Sequence, residues 1–388
     1  MHCIPVHIKI RSCTMRGRQD DSKFYPSFVE EDSLPGQGPP PGAPIDINNY
    51  PVLESYDLGS APCAMQAVSN QLAQDIVMFT FPKRIAIYYL KFKAPEVLED
   101  PSLKERQPLF DYQKLHELMV DDTDIIQSTS LSSDLSLSFQ EKRLSYAFSL
   151  HDSNFLYMVD LRGDLPERIN KTHWFQEMNP KFNNDAPITH IKFDLDQSQF
   201  VAVLTEEPAC NVWNTAKRMK ITSFPLLEKG VGISWHKSEP YKLMVAQRNG
   251  IIIFYNIVKQ HAVQSVSVGK SPLLYVDWAP SNNYFVGCVS YSQAYIVDIA
   301  KPYSTHIKSF DTHPNFTNKL KFSPLDYKMF ATMGRSDSRI KVFQLNFQSM
   351  LWSNRKPDMR DIEWLRARPF VLALAGSQVY VFKSSLLH

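Results

Sequence analysis

The sequence of 388 residues predicts an all-β fold, a seven-bladed β-propeller of the WD40 type. Two observations lead to this fold class. One bulky residue recurs at an interval of about 42 residues, the repeat length of such blades. Within each interval, short alternating apolar runs are separated by Gly, Asn, Ser and Pro, which is typical of strands and turns.

The repeat is clearest in five units of the second half of the chain. Its first markers are separated by 42, 43, 44 and 42 residues: Phe193, Trp235, Trp278, Phe322 and Trp364. Its second markers follow 20, 20, 19, 21 and 18 residues later: Trp213, Tyr255, Val297, Phe343 and Phe382. Because each blade packs face to face on its neighbours, bulky residues at fixed positions are expected to fill the gaps between blades. The predicted blade anchors are Phe193, Trp213, Trp235, Tyr255, Trp278, Phe322, Phe343 and Trp364.

The turns inside the units are those of β-hairpins. Asn249 and Gly250 separate two apolar runs, and both residue types tolerate a positive φ, so a tight hairpin is expected there. The residues from Arg335 to Ser338 predict a second hairpin less sharply.

Two earlier units are degenerate. The runs between Asp75 and Phe92 read as two paired strands of a first blade. In the second unit, Phe139 and Leu131 are alternative anchors, the latter with a longer hairpin. An N-terminal strand is expected to close the ring, with two candidates: 25–29 and 50–53.

The rest of the chain is divided by composition. Residues 1–45 are expected to form a disordered leader, since 33–44 contain five prolines and three glycines. Residues 46–388 are assigned to the propeller, with an acidic insertion at 93–129 and a second insertion at 164–187. Leu115, Leu118 and Met119 have helical spacing, which predicts a short helix over 110–120, packed on the propeller or binding a partner.

Charge and cysteine content exclude several function classes. The 42 Lys and Arg residues nearly balance 40 Asp and Glu residues, so no general attraction to nucleic acid or anionic lipid is expected. Five cysteines without C-x-x-C spacing predict neither a disulfide framework nor a zinc site, and they favour a reducing compartment. No apolar run approaches the ~20 residues that cross a bilayer.

Catalytic and metal-binding motifs were not found in the sequence. The phosphate-binding, dinucleotide-binding, nucleophile-elbow and zinc-helix patterns are all missing. Asp121, Asp122 and Asp124 lack the Gly and the terminal Glu of a calcium loop, and His236 is interpreted as a turn residue. We therefore expect no enzyme, no cofactor and no metal, but a rigid platform that binds proteins.

Individual blades resemble a known family. The segment from Gly230 to Val258, with its Trp235, its Tyr255 and its Asn249–Gly250 turn, closely resembles a blade of the small WD-repeat nucleoporin family. This family is the thirty-seven-kilodalton component of the Y-shaped outer-ring complex of the nuclear pore. The blades containing Trp278 and Trp364 are also similar. The resemblance is good over 186–382, loose over 75–162 and missing over the first 45 residues.

The resemblance implies a non-enzymatic scaffold. A member of this family is a seven-bladed propeller docked on a much larger nucleoporin, itself made of a propeller and a helical solenoid. The implied location is the nuclear pore at the nuclear envelope, with kinetochores in mitosis, and the implied process is transport of mRNA and protein. Direct binding of nucleic acid, membrane insertion and a small-molecule substrate are not implied. The matching positions are core positions, so partner-binding residues stay unknown.

One alternative function comes from a single motif. Substrate adaptors of cullin-type ubiquitin ligases carry W-D-x-R at a blade end, and Val159-Asp160-Leu161-Arg162 approximates this pattern with Val in place of Trp. Other blades lack the arginine, because Ala216, Val258 and Ala300 stand at the corresponding positions.

Overall fold

The computed structural model describes residues 46–69, 75–93, 109–131, 143–162, 175–194, 199–239, 241–300 and 307–384. These residues form seven four-stranded antiparallel sheets and contain no helix. The predicted seven-bladed β-propeller is therefore confirmed. The predicted disordered leader, residues 1–45, lies outside the described residues.

The blades follow one another along the chain. Blade I comprises β2 (Ala64–Ser69), β3 (Asp75–Thr80), β4 (Arg84–Phe92) and β5 (Phe110–Met119). Blade II comprises β6 (Ile126–Leu131), β7 (Arg143–Leu150), β8 (Phe155–Arg162) and β9 (Phe175–Asn183). Blade III comprises β10 (Ile188–Phe193), β11 (Phe200–Thr205), β12 (Ala209–Asn214) and β13 (Met219–Pro225). Blade IV comprises β14 (Gly230–Trp235), β15 (Lys242–Gln247), β16 (Ile251–Asn256) and β17 (His261–Ser267).

The last three blades complete the ring. Blade V comprises β18 (Tyr275–Trp278), β19 (Phe285–Ser290), β20 (Gln293–Asp298) and β21 (Ile307–Asp311). Blade VI comprises β22 (Lys319–Phe322), β23 (Met329–Gly334), β24 (Arg339–Gln344) and β25 (Ser349–Arg355). Blade VII comprises β26 (Met359–Trp364), β27 (Phe370–Ala375), β28 (Gln378–Lys383) and β1 (Glu54–Asp57).

The first strand of each blade is its inner strand. Neighbouring inner strands contact one another around a central channel: β2, β6, β10, β14, β18, β22 and β26. Since all seven run in the same direction, the loops that follow them lie on one face of the ring, which we call the exit face. The loops that precede them lie on the opposite face, which we call the start face.

The strand that closes the ring begins one residue after the second N-terminal candidate, 50–53, whereas the first candidate, 25–29, lies outside the described residues. The paired strand is β1, directly after 50–53, and it is antiparallel to β28 with Glu54 opposite Val381. The amide of Leu53 donates to the carbonyl of Val381 at 2.9 Å. Just before it, the amide of Tyr50 donates to the carbonyl of Ser353 at 2.8 Å, and the ring of Tyr50 stacks on Trp352 with centroids 4.5 Å apart. The N-terminal segment thus ties blade VI to blade VII before it closes the ring.

The predicted blade anchors all lie in the core. Their exposed fractions run from 1% to 7%: Phe193, Trp213, Trp235, Tyr255, Trp278, Phe322, Phe343 and Trp364. Trp235 packs with Phe200 and Leu243, and Trp364 packs with residues of blades VI and VII. Apolar clusters of this kind fill the spaces between neighbouring blades, which is where the repeat placed them.

The predicted helix over 110–120 is wrong. These residues form β5, which pairs with β4 along its whole length and completes blade I. A β-bulge explains the misleading spacing: Lys114 lies opposite Tyr88 and His116 lies opposite Ile87, so Leu115 is an extra residue. A bulge brings two successive side chains towards the same face, and Leu115 accordingly packs against the cluster that contains Leu118. Pairing with the free edge of β4 stabilises a strand here more than three apolar residues at helical spacing stabilise a helix.

The segments expected as insertions carry blade strands. The segment 93–129 contains β5 and the beginning of β6, and 164–187 contains the whole of β9. The second blade's inner strand ends at Leu131, which is 2% exposed and lies opposite Tyr146. Of the two anchor candidates, Leu131 with its longer hairpin is therefore the one in place; Phe139 lies outside the described residues.

The Asn249–Gly250 hairpin is confirmed, but only Gly250 has a positive φ, at 92°. The amide of Gly250 donates to the carbonyl of Gln247 at 3.2 Å, and the Asn249 carboxamide oxygen accepts the amide of Ile251 at 3.2 Å. Asn249 thus stabilises the turn with its side chain, and only Gly250 takes the left-handed conformation.

Candidate functional site

The channel is lined by polar side chains that connect neighbouring blades. The carboxylate of Asp277 on β18 accepts the amide of Phe322 on β22 at 2.9 Å. The hydroxyl of Ser130 on β6 accepts the amide of Phe193 on β10 at 3.1 Å. Gln66 on β2 bonds both backbone groups of Leu131. These bonds hold successive inner strands in register.

Opposite charges alternate on the arc formed by blades V, VI and VII. The Lys321 ammonium lies 3.7 Å from a carboxylate oxygen of Asp277 and 3.6 Å from one of Glu363. The Lys319 ammonium lies 2.5 Å from Asp361. Burial alone would lower the pKa of Lys321, but the charge of Glu363 and its other acidic neighbours raise this pKa well above the ordinary value. These lysines are therefore charged and paired, and neither is available as a base.

Metal ligation has no support in the part of the chain that the structure describes. No group of three or more His, Cys, Asp or Glu side chains there could hold a metal ion. Asp121, Asp122 and Asp124 belong to the loop between β5 and β6, and Asp122 pairs with Lys83 at 3.6 Å. Among the same residues, no helix has the length and apolar character to cross a membrane.

A groove lies on the exit face between blades IV and V. It encloses a cavity of about 390 Å³. Its lining combines apolar and polar side chains: His236, Glu239, Lys242, Tyr255, Val263, Gln264, Trp278, Asn283, Tyr284 and Ile299. We call this feature the blade IV–V groove. A cavity of this size is large enough for one or two bulky side chains of a partner protein.

Apolar side chains surround the groove and are open to solvent. Val263 is 56% exposed and Tyr284 is 59% exposed, and both line the cavity. Val258 and Tyr241, from adjacent loops of blade IV, are 63% and 46% exposed. Apolar groups concentrated at a concave site mark a binding surface more often than scattered exposed residues do.

Val263 is informative because equivalent residues in other blades are covered. It is the extra residue of a bulge in an outer strand, since Ala262 pairs with Tyr255 and Gln264 pairs with Phe254. In blade III the same position is Ile221 and in blade VI it is Leu351; both are partly buried against core clusters. Blade IV therefore leaves Val263 exposed, whereas the equivalent residues of blades III and VI are partly buried.

The polar rim of the groove is ordered by short hydrogen bonds. The ring nitrogen Nδ1 of His236 accepts the amides of Ser238 and Glu239 at 3.2 and 3.0 Å, so the interpretation of His236 as a turn histidine is confirmed. Burial lowers the pKa of His236 below its ordinary value, and the ring lies edge-on against Trp278 at 5.1 Å. The Lys242 ammonium bonds the Glu239 carboxylate at 2.8 Å. The rim thus presents a fixed turn with one exposed ion pair.

One buried network was missed by the sequence reasoning. In blade VI, His313 Nδ1 lies 2.9 Å from a carboxylate oxygen of Asp337, and its Nε2 lies 2.9 Å from the Thr332 hydroxyl. Although burial opposes it, the bond to His313 lowers the pKa of Asp337. Thr332 and Asp337 lie about twenty residues after His313 in the sequence. No other blade of this chain has a histidine followed by these residue types at these spacings. The sequence therefore contains no local motif that predicts this network.

The known proteins that are similar to this chain agree with the resemblance of its blades. No family model matches the chain. The human nucleoporin Nup37 is 29% identical over 159 residues, 41% of this chain and 48% of that relative. Nup37 of Drosophila melanogaster is 21% identical over 333 residues, 85% of this chain and 96% of that relative. The chain resembles Nup37. The resemblance predicted from the blades is thereby confirmed, and the match spans about half the length of the human relative.

The mouse protein extends the same result. Mus musculus Nup37 is 28% identical over 159 residues, again 48% of that relative. Blade anchors such as Trp235 are core positions, and likeness to Nup37 at such positions reports the fold rather than a binding site. The adaptor-like arginine, Arg162, ends β8, and its side chain lies outside the described part of the structure.

Proposed function

We propose that this chain is a non-enzymatic structural subunit of the nuclear pore outer ring. In this role it belongs to the Y-shaped subcomplex and binds a large nucleoporin made of a propeller and a helical solenoid. It supports pore assembly and, through the ring, transport of mRNA and protein, and it accompanies the complex to kinetochores in mitosis.

The observation that carries the proposal is the extent of the similarity to Nup37. The Drosophila relative matches along 96% of its length and along 85% of this chain. That range covers the repeated blades rather than one motif, so the whole propeller supports the comparison. Paired, buried charges in the channel favour a scaffold over an enzyme, because Lys319 and Lys321 are occupied by Asp361, Asp277 and Glu363.

The blade IV–V groove is the surface we assign to the nucleoporin partner. An α-helix presents a bulky apolar side chain every three or four residues on one face, and such residues are the usual energetic centres of interfaces. Val263 and Tyr284 offer the uncovered apolar contact. Lys217, Lys237 and Lys259 lie on loops of the same exit face, in blades III and IV, where they suit an acidic flank on the helix.

A fluorescent fusion and an affinity purification from interphase cells test the proposal together. We expect fluorescence at the nuclear rim and recovery of outer-ring nucleoporins, including one large propeller–solenoid protein. A diffuse fusion that recovers no nucleoporin would contradict the proposal. Recovery of a cullin-type ligase, lost in Arg162→Ala, would establish the adaptor function instead.

A further inference from the structure

Lys192 is the exception in the charged lining of the channel. It occupies the residue before the blade III anchor, as Asp277, Lys321 and Glu363 do in blades V, VI and VII. Among the described residues, its ammonium has neither a hydrogen bond nor an ion pair. The other charged residues at this position are paired with one another, as described above.

The surroundings of Lys192 explain its isolation. The inner strands on either side contribute Ser130 and Ser234 at the equivalent positions. Over their described residues, β2, β6 and β14 contain no acidic side chain. Among the described residues, the carboxylates that act on Lys192 come from the far arc, where each of them already has a cationic partner.

Positive charge is in excess in this part of the channel. Among the described residues, five cationic side chains, Lys192, Lys319, Lys321, Arg366 and Arg368, interact with four carboxylates, Asp75, Asp277, Asp361 and Glu363. Burial, together with the charges of Lys321 and Arg366, lowers the pKa of Lys192 to about 7, although Glu363 and Asp277 oppose the shift. An enclosed cation without a counter-ion is costly, and a bound anion would offset that cost.

We propose that the exit end of the central channel is a binding site for a phosphate-type oxyanion. Lys192 supplies the ammonium, Arg366 supplies a guanidinium suited to two parallel bonds, and the Ser234 hydroxyl lies on the neighbouring strand. Arg366 follows Trp364 by two residues, so it lies just beyond the end of β26, and Lys192 lies one residue before the end of β10. Both cations therefore belong to the same end of the channel. The site is separate from the blade IV–V groove.

Two sources of the oxyanion have the same recognition chemistry. One is free inorganic phosphate, and the other is the phosphate group of a small organic phosphate. Calorimetric titrations of the full chain with inorganic phosphate and with glycerol 2-phosphate distinguish them, each with a sodium chloride reference at the same ionic strength. Binding of both anions assigns the site to phosphate monoesters as well as to the free ion, whereas binding of inorganic phosphate alone assigns it to the free ion.

Variants connect the binding to Lys192. Lys192→Met removes the charge and is expected to weaken phosphate binding roughly tenfold or more. Ser234→Asp supplies the missing carboxylate, so we expect it to abolish binding while the protein stays folded. Lys242→Met, at an exposed lysine paired with Glu239, is the matched control and should bind phosphate as the unmodified chain does.

The melting temperature gives a second readout. Phosphate should raise the melting temperature of the unmodified chain and leave that of Lys192→Met and Ser234→Asp unchanged. Without phosphate, both variants should melt at or above the temperature of the unmodified chain, because Lys192→Met removes the uncompensated charge and Ser234→Asp gives it a counter-ion. The proposal is overturned if neither anion binds the unmodified chain, or if Lys192→Met binds phosphate with the same affinity.

Discussion

Trp235 donates its indole N–H to the carbonyl oxygen of Lys192 at 2.9 Å, across 43 residues of sequence. Trp364 makes the same bond to the carbonyl of Lys321, again at 2.9 Å and across 43 residues. Each bond joins the inner strand of one blade to that of the preceding blade. The repeat detected in the sequence is therefore also a hydrogen-bond period, and the two tryptophans both fill the gap between blades and fix its register.

Trp235→Phe tests the polar part of this role. Phenylalanine keeps most of the apolar contact but leaves the Lys192 carbonyl without its donor, so we expect a loss of about 1–3 kcal/mol in the free energy of unfolding. Trp235→Ala also opens a cavity and should cost about 3–5 kcal/mol. Chemical denaturation measures both values. Phe347→Ala, at a side chain that is 72% exposed, is the control and should change stability little. Equal stability of Trp235→Ala and the unmodified chain would refute the core assignment.

The pH dependence of stability should reveal Glu54 at the ring closure. Burial raises the pKa of Glu54 from 4.5 to about 8, despite the amide of Leu109 that bonds its carboxylate. The folded protein therefore holds a proton that the unfolded chain releases. Its contribution to stability is complete below about pH 4.5 and is lost as the pH rises through about 8.

Glu54→Gln should remove this dependence. The second carboxylate oxygen of Glu54 and the hydroxyl of Tyr112 are both buried without a hydrogen-bond partner, and glutamine can donate to that hydroxyl. We expect the variant to be more stable than the unmodified chain at pH 8 and nearly equal to it at pH 5. Melting temperatures across this range provide the test. A constant difference between the two proteins at every pH would contradict the assignment of the proton to Glu54.

The N-terminal tie between blades VI and VII can be tested at Tyr50. Tyr50→Ala removes a side chain that is 5% exposed and stacked on Trp352, and should cost about 2–4 kcal/mol. Hydrogen exchange should also become faster in β1, which follows this contact. Tyr50→Phe keeps the stacking and should retain most of the stability. If both variants melt like the unmodified chain, the segment before β1 does not secure the ring.

The His313–Asp337 network depends on a glycine. A Cβ at Gly334 would lie 2.5 Å from the Asp337 carboxylate and from the His313 ring, so Gly334→Ala must displace one of them. We expect a loss of about 1–3 kcal/mol, measured by denaturation. Ser338→Gly changes the same turn at a residue whose φ is 54°, where glycine is favoured, and should not be destabilising. A Gly334→Ala protein as stable as the unmodified chain would show that the network is dispensable.

Most of the fold could be predicted because large apolar residues recur in the sequence at the interval of the blades. Trp235, Trp278 and Trp364 mark blade cores directly, and Asn249–Gly250 marks a hairpin. The wrong helix prediction and the undecided anchor of blade II have a common physical cause, because local features interrupt the repeat at both places. Leu115 had helical spacing with its neighbours because a bulge in β5 adds one residue to the strand. Leu131 was not distinguished from Phe139 as the blade II anchor because a long segment separates β6 from β7.

The candidate site was much less predictable. Val263 and Tyr284 are ordinary apolar residues in the sequence, and only the contacts of the folded chain show that blades IV and V leave them exposed. The isolation of Lys192 likewise depends on which residues the neighbouring inner strands present, and these lie about sixty residues before it and about forty residues after it.

Recovery of outer-ring nucleoporins by groove variants tests the central claim most directly. Val263→Asp and Tyr284→Asp place charges in the blade IV–V groove, while Leu227→Asp changes a residue on the start face that is 79% exposed. Affinity purification from interphase cells, with the bound proteins quantified, should show full recovery with the unmodified chain and with Leu227→Asp, and at least a tenfold loss for the double groove variant. Equal recovery by all three proteins would contradict docking through the groove, and recovery of no nucleoporin by the unmodified chain would contradict the scaffold function itself.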